Sequence, residues 1–328
     1  MRFLVFVLLA LSSLPPAHAQ SGSSQASLSL PRLGFVYDAA AHAIRPIQGI
    51  PGASTIGDPL DPGVSVTASA ISPRQDFALL VDADEAVRVL PLGDLNSSIL
   101  PGAVASPRQI VFSPSGGTAG LYRQDPSKLQ IFTHLPQEPV LAHEIDTTAV
   151  AGDITSVAIS DDGECALILT GSGLWLSRAG SIPVQFPAPD SLSTVTFQRG
   201  GYDAALATRD GQIYLLRNLA SAPAFSILAP SDDRTSDPVG VQFSPDGARV
   251  FVATRQGMVA GFGTQTEWSA FTSCGCRPSG LSPLSRTLIR LNEIADGPLM
   301  LLDTAGPDLR VWFVPAVVPA TRSERGAQ

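Results

Sequence analysis

A tight turn between two runs of alternating apolar residues keeps returning along this chain, and few architectures accommodate such a repeat. The clearest copy is QFSPDGARVFVAT, with Ser244 at its third position. Weaker copies are AISPRQDFALLVD at Ser72, VFSPSGGTAGLYR at Ser113, AISDDGECALILT at Ser160, TFQRGGYDAALAT at Gln198 and GLSPLSRTLIRLN at Ser282. The successive spacings are 41, 47, 38, 46 and 38 residues. Self-similarity at this period, built only of strands and turns, points to the blades of an all-β propeller.

Each unit reads as four short strands, A to D. In the copy at Ser244 these fall at Val239–Phe243, Arg249–Thr254, Met258–Gly263 and Ser269–Thr272. The Ser-Pro-Asp-Gly cluster is then the A to B turn. Proline suits a fixed φ, Asp bonds its own backbone, and Gly accepts positive φ. Two pieces lie outside the six full units. Residues 33–52 read as the C and D portion of a blade, and 299–316 close the last one. An exposed edge strand leaves backbone groups unpaired, so the ring is expected to close as seven blades with an N-terminal partial blade, six being the alternative. The single domain spans 33–316, with an N-terminal segment at 20–32 and a C-terminal tail at 317–328.

The Phe-Ser-Pro-Asp-Gly-x-x-Val-Phe-Val-Ala stretch at 243–253, with its echoes, resembles the YVTN and WD40-like propeller repeats of exported bacterial proteins, and more loosely TolB-type propellers. The resemblance covers about 33–316. It implies the fold and leaves function open, because such propellers serve as scaffolds, peptide binders and sometimes enzymes. The Gly-His and Trp-Asp signatures of WD40 repeats are absent.

The chain begins MRFLVFVLLALSSLPPAHAQ, with Arg2, an apolar run from Phe3 to Leu11, and Ala17-His18-Ala19. That is the layout of a secretory signal peptide over 1–19, cleaved near Ala19. No later run is long enough to cross a membrane as a helix. The expected product is exported, periplasmic or extracellular, and a monomer. Charged residues make up 15%, while 29 Gly and 28 Pro are spread along the chain, which favours short strands and turns. Asp and Glu outnumber Lys and Arg by 29 to 21, which argues against nucleic acid as a partner.

Chemistry-bearing clusters are few. His42, His134 and His143 fall on expected C or D strands or the turn between them, away from the channel, and no nucleophile elbow, zinc-protease or phosphate-loop motif occurs. No cofactor is expected. Cys274 and Cys276 leave three states open: a local disulfide, a soft-metal site or two free thiols. Cys165 reads as a small buried filler. The loops joining D to A and B to C, which share the top face, carry most of the acids. Asp82, Asp84, Asp153, Asp232, Asp233 and Asp237 are the candidate binding residues, facing a basic protein or peptide or a divalent cation. The leading reading is a binding or scaffolding propeller. The alternative is a lactonase- or hydrolase-like enzyme using channel carboxylates, which requires several titratable side chains to converge in the channel.

Overall fold

A computed structural model describes residues 31–316. The expected signal peptide at 1–19, most of the 20–32 segment and the 317–328 tail lie outside the described residues. Seven antiparallel sheets follow one another in sequence order. Blade 1 holds β1 (Arg32–Asp38), β2 (Ala43–Ile50) and β3 (Ala53–Ile56). Blade 2 holds β4 (Val66–Ile71), β5 (Phe77–Asp82), β6 (Val87–Pro91) and β7 (Ser98–Ile99). Blade 3 holds β8 (Gln109–Phe112), β9 (Ala119–Arg123), β10 (Lys128–Thr133) and β11 (Val140–Asp146). Blade 4 holds β12 (Ile154–Ile159), β13 (Cys165–Thr170), β14 (Gly173–Arg178) and β15 (Val184–Phe186). Blade 5 holds β16 (Leu192–Phe197), β17 (Ala204–Thr208), β18 (Ile213–Arg217) and β19 (Ala224–Ala229). Blade 6 holds β20 (Pro238–Phe243), β21 (Arg249–Thr254), β22 (Met258–Gly263) and β23 (Ser269–Ser273). Blade 7 holds β24 (Ser282–Pro283), β25 (Leu288–Arg290), β26 (Leu299–Asp303) and β27 (Arg310–Val314).

The ring is closed by its core. Seven apolar clusters each take residues from two neighbouring blades, and the last joins Val36 and Ile47 of blade 1 to Leu301 and Val314 of blade 7. The architecture is therefore a seven-bladed propeller, and six blades are excluded. Strand B of each full blade is the most enclosed. Phe77–Asp82 and Cys165–Thr170 are buried throughout, because both faces pack on neighbouring sheets.

Blade 1 departs from the sequence reading. Residues 33–52 are not C and D but B and C, and a third strand at Ala53–Ile56 supplies D. The turn chemistry fixes the correspondence. Asp38 accepts the Ala40 and Ala41 N–H groups and pairs with Arg45 at 2.8 Å; Asp82, at the end of strand B in blade 2, accepts those of Asp84 and Ala86 and pairs with Arg88 at 2.6 Å. For the same reason His42 lies in a B to C turn, not on C or D. The break between β2 and β3 was hidden because Gly49 and Gly52 interrupt the alternation. A Cβ on Gly49 would lie 2.2 Å from the Ala53 carbonyl oxygen, so only glycine permits this reversal.

Among the described residues blade 1 has no strand A. Its innermost strand is β1, whose Phe35 N–H donates to Gln75 Oε1 at 2.6 Å. Gln75 Nε2 donates in turn to the Pro283 carbonyl at 3.2 Å. One amide side chain from the blade 2 turn thus spans blades 1 and 7, and it satisfies a backbone group that a strand would otherwise take.

The A to B turns do more than reverse the chain. Gly247 has φ of 71°, as the turn requires, and a Cβ there would also lie 2.1 Å from Gln198 Nε2 of the blade 5 turn. Asp161 accepts Ser115 N–H from blade 3 and Gly200 N–H from blade 5, both at 2.6 Å. Arg74 donates to Leu135 O at 2.9 Å, and Arg249 to Thr304 O at 2.8 Å. Turns of adjacent blades are stapled to one another around this face.

Candidate functional site

The rim formed by the D to A and B to C loops holds all six sequence-derived carboxylates, in two distinct states. Asp82 is buried, and its hydrogen bond from Arg88 holds the carboxyl below the usual range despite the desolvation that opposes it. It organises a turn. Asp232 caps the short 3-10 turn Asp233–Thr235 through the Arg234 N–H and pairs with the Arg234 guanidinium at 2.7 Å, which lowers its pKa. Arg234 also lies 3.8 Å from the Phe271 ring centroid, so the pair is held against blade 6. Asp237 pairs with Arg255 at 2.9 Å. In contrast, Asp84, Asp153 and Asp233 are exposed and have no cationic partner among the described residues.

The loop at 231–237 is anchored rather than simply solvated. Thr235 is fully buried, and its Oγ1 donates to Gly211 O at 2.8 Å. Sequence reading missed this because nothing distinguishes Thr235 from an exposed loop threonine until the B to C turn of blade 5 covers it.

Local ion pairs leave the rim acidic. Among the described residues Asp58, Asp61, Glu85, Asp125 and Asp190 are exposed without a cationic partner, as are Asp84, Asp153 and Asp233. Arg108, Arg123, Arg209 and Arg277 are the described arginines on this face outside any ion pair. Among the described residues no three His, Cys, Asp or Glu side chains converge as metal ligands.

Cys274 and Cys276 are joined as a disulfide with Cα atoms 5.2 Å apart, and Cys276 packs at the edge of the core between blades 6 and 7. Cys165 is a free, buried thiol on β13, pushed up to about 11 by burial, which keeps it protonated and unreactive. His143 lies 3.3 Å from Glu164 on the blade exterior.

The opposite face carries a cavity of about 690 Å3 at the mouth of the central channel. Its walls include Leu33, Phe35, Phe243, Leu284 and Ile289, and its charged residues are Arg32, Arg74, Arg199, Arg286 and one carboxylate, Asp76. Asp76 is already paired with Arg74 at 3.1 Å. Arg74, Arg199 and Arg286 all stand in A to B turns, which only closure of the ring brings round one opening.

Neither a family model nor a curated protein matches this sequence. Solved structures match in shape. The structure of U3-55K aligns at a TM-score of 0.55 with 11% identity, covering 77% of this chain and 82% of that one. The WD40 repeats of RRP9 align at 0.56 with 11% identity and the same coverage. Hydrazine synthase of Kuenenia stuttgartiensis aligns at 0.52 with 14% identity, covering 86% of this chain and 92% of that one. At such identities the likeness is one of fold: this is a WD40-like β-propeller.

Proposed function

We propose that the protein is an exported binding or scaffolding propeller of the YVTN type, which holds a basic protein or peptide against its acidic rim. The observation that carries this reading is the surplus of exposed carboxylates that remains after every ion pair on that face is counted. A field of unpaired like charge attracts and orients a cationic partner. A polypeptide suits it better than a divalent cation, because the free carboxylates are spread over loops of several blades and no three ligands converge among the described residues. The WD40-like neighbours support a protein-binding role as an analogy of fold. Export rests on the N-terminal pattern and the YVTN-like repeat.

Two measurements test this. Mass spectrometry of the mature protein should find its N-terminus at Gln20, and an intact Met1 in the exported fraction would refute processing. Fluorescence anisotropy with labelled deca-lysine should show binding that weakens steeply with salt and falls several-fold in the triple variant Asp84→Asn, Asp153→Asn, Asp233→Asn. Equal binding by variant and wild type would remove the rim as the site.

A further inference from the structure

The rim leaves the channel mouth unused, and its composition is opposite to that of the chain. A protein with a formal net charge of −8 gathers four arginines and a single carboxylate round one apolar cavity. Arg74 is occupied by Asp76 and by the Leu135 carbonyl, and Arg32 lies 4.7 Å from the Phe35 ring centroid. Arg199 and Arg286 are exposed and hold no ion pair among the described residues. They match a ligand that brings an anion and an apolar body together.

The walls are apolar. Leu33 and Phe35 of β1 line the cavity on the blade 1 side. Phe243 of blade 6 and Leu284 of blade 7, the latter packed beside Gly34 of β1, continue the apolar lining. At about 690 Å3 the cavity lies within the range of small-molecule sites, and Arg199 and Arg286 sit at its edge on turns of blades 5 and 7.

We infer that the channel mouth on the A to B turn face is a binding site for an amphiphilic anion, a carboxylate on an aliphatic chain, with the head on Arg199 and Arg286 and the chain between Phe35, Phe243 and Leu284. Guanidinium donates to carboxylate in a paired geometry, and removing both donors strands the anion in an apolar opening. The site is on the face opposite the acidic rim and does not depend on it.

The test is isothermal titration of the full-length mature chain with dodecanoate below its micelle concentration, beside dodecanol and acetate. Dodecanoate should bind at one site. Dodecanol should bind about tenfold more weakly or worse, and acetate should give no heat, because each lacks half of the recognition. The variant Arg199→Ala, Arg286→Ala should lose at least tenfold in dodecanoate affinity with an unchanged thermal midpoint and unchanged deca-lysine binding. Equal affinity in that variant would overturn the inference. So would a wild-type chain that takes up no dodecanoate.

Discussion

The two faces of this ring treat charge in opposite ways. On the rim, part of the acidic charge is structural: Asp82, Asp232 and Asp237 organise turns and answer to Arg88, Arg234 and Arg255. At the channel mouth Arg199 and Arg286 hold no ion pair among the described residues, and they stand beside apolar side chains. A count of charges along a sequence does not separate these cases. The difference teaches that an acidic loop is informative only after its local partners are subtracted, and that a minority charge collected in one place says more than a majority spread widely.

The largest expected effect separates the structural carboxylates from the free ones. Asp82→Ala strips a buried turn of its acceptor and leaves Arg88 half-buried without a partner, which should cost about 3 kcal/mol. Asp84→Ala, two residues on and exposed, should stay within about 0.5 kcal/mol of wild type. Chemical denaturation measures both, and similar values for the pair would erase the distinction.

Next comes the turn that staples blades together. Gly247→Val meets an unfavourable backbone conformation and the Gln198 side chain at once, for a loss of roughly 2 kcal/mol. A loss below about 0.5 kcal/mol would mean that the blade 5 and blade 6 turns do not depend on that contact.

A smaller effect follows from pH. The Asp82 carboxyl is held below its ordinary value, chiefly by the Arg88 hydrogen bond, so the folded state releases its proton more readily than the unfolded chain. Its contribution is therefore complete above the unfolded carboxylate pKa of about 4, and it is lost as pH falls through the lower folded value. The stability gap between wild type and Asp82→Asn should be constant from pH 7 to 5 and narrow towards pH 2.5. A gap that widens on acidification would contradict the assignment.

The smallest effect is an expected absence of change. Arg199→Ala and Arg286→Ala, singly or together, should leave the unfolding midpoint within about 0.5 kcal/mol of wild type, because neither side chain holds the ring together. A large loss would make these arginines structural and remove the contrast between the faces.

Much of this was legible in the sequence, for identifiable reasons. Strands β20 to β23 match the sequence reading to within a residue, because Ser244–Gly247 marks the hairpin and the flanking runs alternate cleanly. Blade 1 was misread because Pro46, Gly49 and Gly52 disturb the alternation that would separate three strands. The burial of Asp82 and Thr235 depends on neighbouring segments that local patterns do not specify. The arginine cluster lay furthest out of reach, since Arg74, Arg199 and Arg286 meet only when all seven blades close.

The contrast between the faces can be read most directly from the position of a bound anion. Crystals of the protein soaked with 12-bromododecanoate should show a single anomalous bromine peak inside the channel mouth, between Phe35 and Phe243, with the carboxylate density on Arg199 and Arg286. A peak elsewhere on the molecule, or a mouth that stays empty while the soaked crystal carries bromine at other sites, would contradict the account.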